Sequence, residues 1–124
     1  MTKASAEQIR DLVGKLSDDP DPLHNDMTPA VHELGKLGIQ ILPYLEKSLL
    51  SADEMTRLHA QRALEAAVNR HFGFQPGAGW IPREGEASAR QAFQQNGSYD
   101  FEDDPAARQA AVKAWLDWYA KTAQ

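Results

Sequence analysis

The stretch MTPAVHELGKLGIQILPYLEKSLLSADEMTRLHAQRALEAA, residues 27–67, contains the start and stop signals of three successive helices. Thr28 followed by Pro29 predicts an N-cap and a first helical position, because the missing N–H of proline leaves nothing unpaired there. Gly38 predicts the end of that helix, since glycine adopts a left-handed conformation at little cost. Pro43 would break a helix interior, so the second helix is predicted from about residue 43 to residue 50.

The third and longest of these helices is predicted over residues 53–71. Ser51 and Glu54 have the spacing of a capping box at its start. Alanines keep the helix slim, and Gly35 in the first helix is expected to permit the close approach of a neighbour. The pattern therefore indicates helices that pack tightly side by side.

Further helices are predicted on both sides of this stretch. Residues 5–16 carry an apolar stripe at helical spacing, and residues 84–95 form a second candidate. Asp104 and Pro105 repeat the N-cap and proline signature at the start of the last helix. No segment has a convincing strand pattern, so residues 1–124 are predicted to form one all-α domain of five or six helices without a sheet.

The central stretch FGFQPGAGWIP, residues 72–82, is predicted to be a structured loop. Its glycines and prolines interrupt regular structure. Its phenylalanine and tryptophan rings are too large and apolar to remain in solvent without cost. We therefore expect these rings to pack against the helices.

Aromatic residues also mark the last helix. Trp115, Trp118 and Tyr119 stand at i, i+3 and i+4, so their side chains lie on one helical face. Rings of this size contribute strongly to a small core when they are buried. Trp115 is predicted to be the deepest, and Trp118 to lie nearer the edge of the stripe.

Residues 27–67 resemble the HEAT repeat of the ARM-type fold, a family in which antiparallel helix pairs stack into an α-α superhelix. The ending DPAARQAAVKAWLDWYA, residues 104–120, resembles that of some bacterial HEAT-like proteins. The resemblance implies a compact stack of helix pairs closed by terminal helices, with Arg57 pairing with Asp53 four residues before it. The residues that match the repeat, in order, are Leu34, Gly35, Leu37, Gly38, Pro43, Leu45, Leu49, Asp53, Arg57, Ala60, Ala63 and Leu64.

The HEAT resemblance also implies where a partner would bind. In that family the second helix of each pair usually lines the concave side of the stack. Tyr44 and Lys47, with Glu46 or Gln40 beside them, are the corresponding candidate contacts in this sequence.

Composition excludes several classes of partner and site. The chain has 13 Lys and Arg against 18 Asp and Glu, a net charge of -5. This balance argues against nucleic acid or an anionic membrane as the main partner, because both require clustered cations. Without cysteine, disulfides and thiolate chemistry are excluded. No signal-peptide pattern and no apolar run of roughly 20 residues is present, so a cytoplasmic location is expected.

The histidines do not predict a metal site. No two of them stand four residues apart, as the ligands of a zinc-binding helix do. We expect no metal and no cofactor, and we expect the histidines at the surface or its boundary. They are His24, His32, His59 and His71.

These features favour a small protein-interaction or scaffold module without catalytic activity, a class that includes immunity- and inhibitor-type proteins. Trp80 and Arg83, at the end of the central loop, are further candidate contacts, since Trp, Tyr and Arg dominate interface energetics. The alternative is a small-ligand-binding protein or an enzyme. Its pocket would lie between residues 72–82 and the last helix, built from Phe74, Trp80 and Trp118. Rings that rim a cavity with converging polar groups would favour this pocket.

Overall fold

The structure is a computed structural model that describes residues 3–123. Most of these residues are helical, as expected, and no helix among them combines the length and apolar composition that crossing a bilayer requires. A 3-10 helix, Gly38–Tyr44, joins the second and third α-helices, and two short strands follow the fourth. The elements are α1 (Ala6–Gly14), α2 (Pro29–Leu37), α3 (Glu46–Leu49), α4 (Glu54–His71), β1 (Phe74–Gln75), β2 (Gly79–Trp80), α5 (Gly85–Gln95) and α6 (Pro105–Thr122).

The prediction that the chain contains no sheet is wrong at the central loop. β1 and β2 pair antiparallel, with Phe74 opposite Trp80. Gly77 and Gly79 adopt φ of 83° and 87°, a region that favours glycine and lets the chain reverse within a few residues. The rings of Phe74 and Trp80 contact each other across the strands, with centroids 5.2 Å apart. The loop is therefore structured, as its apolar content predicted.

The start of α2 and of α6 confirms the capping prediction. Thr28 accepts a hydrogen bond from the N–H of Val31, and Asp104 accepts one from the N–H of Ala107. In both helices proline occupies the first position, where its missing N–H removes one of the unpaired donors. Gly38, with φ of 74°, ends α2 as predicted.

The predicted capping box at the start of α4 is wrong. Asp53 is the N-cap, and its carboxylate accepts hydrogen bonds from the N–H and the hydroxyl of Thr56. Ser51 accepts from the N–H of Asp53 instead. A carboxylate placed directly at the helix start is a stronger acceptor than a hydroxyl two residues earlier.

The predicted ion pair between Asp53 and Arg57 is also replaced. The Arg57 guanidinium donates hydrogen bonds to the backbone carbonyls of Ser51, Ala52 and Phe101. Because Phe101 lies in the loop before α6, Arg57 ties that loop to the start of α4.

The predicted continuous helix over residues 43–50 is two shorter pieces. Pro43 lies inside the 3-10 helix, and α3 is a single turn that follows it. A proline has no N–H for the i→i−4 bond and its ring crowds the preceding turn. The tighter 3-10 geometry accommodates this proline in a short piece.

The core is arranged around α4, which contacts α2, the 3-10 helix, α3, α5 and β1. α4 and α2 approach each other closely at Gly35 and Ala66. A Cβ added to Gly35 would lie 2.7 Å from the Cβ of Ala66, inside normal van der Waals contact. The prediction that Gly35 permits a close neighbour is confirmed.

The aromatic stripe of α6 closes the other side of the core. Trp115 is only 1% exposed and packs against Phe93, with centroids 5.1 Å apart. Trp118 is partly buried and contacts Trp115, His71 and Phe72. The predicted order of burial, with Trp115 deepest, is confirmed.

One histidine contradicts the prediction of surface positions. His59 on α4 is 1% exposed. Its Nε2 lies 2.8 Å from the carbonyl of Asn25 and its Nδ1 lies 2.7 Å from the hydroxyl of Ser17. A carbonyl can only accept, so Nε2–H donates to it, and in the neutral ring Nδ1 accepts from the serine hydroxyl. Both ring nitrogens are satisfied, which is why the ring can be buried.

These bonds tie both ends of the α1–α2 loop to α4, because Ser17 begins the loop and Asn25 lies near its end. A further hydrogen bond joins the two ends of the loop to each other, from the Thr28 hydroxyl to the carbonyl of Leu16. The base of the loop is therefore held by buried hydrogen bonds.

Gly35→Ala should destabilise the protein, because the added methyl group overlaps Ala66. We expect a loss of about 1–3 kcal/mol in the free energy of unfolding, measured by urea denaturation. Gly14→Ala is the matched control, since nothing lies within 4 Å of a Cβ at that position. An equal loss in both variants would contradict the close contact, and Ala66→Gly should recover part of the loss caused by Gly35→Ala.

His59→Ala should cost about 2–4 kcal/mol of unfolding free energy, because it creates a cavity and leaves Asn25 and Ser17 without a partner. Thermal and urea unfolding would measure the loss. His24→Ala, at an exposed position, should stay within about 0.5 kcal/mol of the parent. A cost for His59→Ala no larger than this would show that the loop is held by other contacts.

Tyr99 should make the free energy of unfolding depend on pH in the alkaline range. Its hydroxyl donates to the carbonyl of Leu49, and burial raises the pKa of Tyr99 from 10.0 to about 12. The unfolded chain loses this proton at lower pH, so the contribution is complete below pH about 10 and disappears as pH rises toward about 12. The stability advantage over Tyr99→Phe, measured by urea unfolding, should therefore shrink across this interval. An advantage that stays constant would contradict it.

Candidate partner-binding groove

A groove of about 400 Å³ lies between α2, α4 and the β1–β2 hairpin. We call it the ribbon groove. Its apolar lining comes from Met27, Gly35, Ala66, Phe74 and Pro76, and its polar lining from His32, Lys36, Arg62, Glu65, Asn69 and Arg70.

The floor of the ribbon groove follows from the close contact of α2 and α4. Neither Gly35 nor Ala66 projects a long side chain, so space remains above the two helices at this contact. Phe74 and Pro76 of the hairpin form one wall, and the contact with Trp80 holds the Phe74 ring in place. The apolar part of the groove is therefore largely preformed.

The charge of Arg62 is balanced within the protein. Its Nε lies 2.6 Å from a carboxylate oxygen of Asp26, and its Nη1 lies 2.9 Å from one of Glu65. The hydrogen bond from Arg62 holds the pKa of Asp26 below its usual value, so this pair is charged at neutral pH. Arg62 is a fixed part of the groove wall with little charge left over for a ligand.

Two other cationic side chains that line the groove can contact a ligand. Lys36 pairs with Glu33 at 3.1 Å, but both side chains are more than half exposed, and such pairs contribute little. Arg70, in the last turn of α4, makes no hydrogen bond or ion pair with any side chain in residues 3–123. Within the described part of the chain, the groove therefore presents one unpaired guanidinium and one weakly paired ammonium beside an apolar surface.

The groove continues in both directions. Along the hairpin, a neighbouring cavity of about 650 Å³ shares Lys36, Arg70, Phe74 and Pro76 with it. In the opposite direction, a depression of about 340 Å³ shares Met27 and His32 with it and is also lined by carboxylates of the α1–α2 loop. The surface thus changes from basic at the hairpin to acidic at that loop.

Of the predicted contacts, Tyr44 and Lys47 come together away from this groove. With Glu46 and Arg10 they line a separate cavity of about 380 Å³ between α1 and the start of α3. The Arg10 guanidinium lies 5.6 Å from the centre of the Tyr44 ring, a cation–π distance. Gln40 does not line this cavity.

The residues of the alternative pocket do not all meet. Phe74 and Trp80 contact each other. The ring of Trp118 contacts a different set, namely Trp115, His71 and Phe72. Phe74 rims the ribbon groove, where polar groups converge, but no residue of α6 lines that groove.

Trp80 and Arg83 are also separated. Trp80 lines a depression of about 330 Å³ with Phe93 and Arg90 of α5. Arg83 is exposed in the turn before α5 and does not line that depression.

Sequence reasoning did not identify Lys36 and Arg70 as candidates. Arg70 stands in the last turn before a glycine-rich aromatic segment, a position where a cation also stabilises the helix dipole. This local role already explains an arginine at that position, so the sequence does not point to binding. The place of Arg70 beside Lys36 depends on the contact of α2 with α4.

The described residues show no candidate metal site, and comparison with known proteins identifies no relative. Within the described part of the chain, no three His, Cys, Asp or Glu side chains converge as metal ligands would. Comparison of the chain with models of protein families, with curated proteins and with solved structures finds no match.

Proposed function

We propose that this chain is a non-catalytic protein-interaction module with HEAT-like stacking of its helices, and that it binds a short segment of a partner protein in the ribbon groove. The observation that carries the proposal is the Arg70 guanidinium, unpaired among residues 3–123, beside a preformed apolar surface. A scaffold or inhibitor needs such a surface and no reactive group.

The chemistry of the groove specifies the segment. Phe74 and Pro76 offer apolar surface to a large side chain such as leucine, and burial of such a side chain favours binding. Arg70 and Lys36 attract a carboxylate, and a guanidinium can bind a carboxylate through two parallel hydrogen bonds. The expected segment carries an aspartate or glutamate close to a large apolar residue.

The shape of the groove favours an extended segment over a compact small molecule. A volume of about 400 Å³ would admit a small ligand, but the groove continues into a second cavity along the hairpin. A peptide in extended conformation can follow both cavities and contact Phe74 and Arg70 in sequence.

The charge of the whole chain sharpens this preference. The net charge is -5, so most of the surface repels an acidic partner. The basic end of the ribbon groove is a local exception, and charge arranged in this way directs an acidic segment to one place.

Selection from a random displayed-peptide library tests the proposal. The native chain should enrich peptides with an acidic residue beside a large apolar one. Arg70→Glu should bind the selected peptides at least about 10-fold more weakly, because it replaces an attractive charge by a repulsive one. Fluorescence anisotropy of a labelled peptide would measure the affinity.

Arg90→Glu is the matched control, since Arg90 is an exposed arginine on α5 that does not line the ribbon groove. It should bind the selected peptides as the native chain does. No enriched sequence, or equal binding by Arg70→Glu and the native chain, would refute the proposal.

A further inference from the structure

The loop between α1 and α2 presents the most exposed large apolar side chain among residues 3–123. We call residues 17–25 the acidic loop. Leu23 in this loop is 88% exposed. Asp18, Asp19 and Asp21 precede it, so a leucine is displayed next to several carboxylates.

The acidic loop has a defined conformation. The Asp21 carboxylate accepts hydrogen bonds from the N–H of Leu23 at 2.8 Å and of His24 at 3.2 Å. The backbone of Met27 bonds both to Asp21 and to His24. His59 holds the base of the loop from α4. A loop that is already ordered loses little entropy when it binds.

This loop has the chemistry that the ribbon groove selects, namely a large apolar side chain near carboxylates. Resting on the function proposed above, we propose that the ribbon groove of one molecule binds the acidic loop of a second copy of this chain. Leu23 packs against Phe74 and Pro76 of the other copy, and Asp18 approaches Arg70. Within one molecule this contact is not made, because Leu23 is exposed and does not line the groove.

The positions of loop and groove suit a closed dimer. The depression lined by Asp19 and Asp21 shares Met27 and His32 with the ribbon groove, so the two features are neighbours on one surface. In a two-fold dimer each contact occurs twice, so each copy would give its loop and receive the other. A small interface of this kind gives a weak dimer.

The dimer would regulate the proposed function. Each acidic loop occupies the site that a partner segment needs, so self-association and partner binding compete. A partner segment that binds more tightly than the loop would separate the two copies.

Sedimentation velocity of the full chain tests this inference, over concentrations from about 5 μM to about 500 μM, where weak complexes form. The native chain should shift from the mass of one chain toward that of two. Leu23→Asp should weaken association at least about 10-fold, because it replaces the apolar contact by another carboxylate. Met55→Asp is the matched control, since Met55 is an exposed apolar residue on α4 outside the groove.

A charge exchange gives the second readout. Asp18→Lys and Arg70→Glu should each be monomeric when alone. Their mixture should form a heterodimer, because the reversed loop of one variant then meets the reversed groove of the other, while the native loop meets the native groove. Circular dichroism would show that every variant is folded.

A native chain that stays monomeric at about 500 μM would overturn the self-docking inference. A dimer that persists in Leu23→Asp, or a mixture that does not associate, would overturn it as well. The peptide selection is judged separately, since it uses dilute chain and a foreign segment. Failure of the dimer therefore leaves the groove's proposed function to that experiment.

Discussion

The contact between Gly35 and Ala66 is the constraint on which the rest of the structure depends. It brings α2 and α4 closer than any pair of larger side chains would permit. The pairing of these two helices places Lys36 and Arg70 at the same groove. It also leaves a groove floor without long side chains between the two helices, and the hairpin adds one wall to it. A packing requirement of the core thus creates the feature with the clearest capacity for binding.

Polar groups in this protein divide into those that are satisfied internally and those that are not. Arg57 bonds to backbone carbonyls, His59 bonds to a carbonyl and to the Ser17 hydroxyl, and Arg62 is neutralised by two carboxylates. Arg70 has no such partner among the described residues. The contrast between Arg62 and Arg70, two arginines on one helix, is the physical reason to assign a ligand to one and a structural role to the other.

Much of the fold could be predicted from local signals. Thr28, Pro29 and Gly38 act on their own backbone neighbours, so the sequence predicts the helix ends that they form. The helical spacing of the aromatic residues likewise predicts the burial of Trp115. The β1–β2 hairpin, the N-cap of α4 and the burial of His59 could not be predicted. Each depends on a competition between nearby groups or on a loop distant in sequence. The role of Arg70 could not be predicted for the same reason, since its surroundings come from α2 and the hairpin. Phe74 could be predicted, because a large apolar ring in a short loop is expected to pack against the rest of the protein.

The central position of α4 has a consequence for how the chain unfolds. α4 contacts α2, the 3-10 helix, α3, α5 and β1, and no other helix replaces it in the core. The two terminal helices pack on neighbours of α4, with α1 on α2 and the 3-10 helix and α6 on the 3-10 helix and α3. Cooperative, all-or-none unfolding follows, because loss of α4 removes the packing surface of the elements on which both terminal helices rest. Fragments that lack this helix lose its buried side chains from the core, so they should be open to proteolysis.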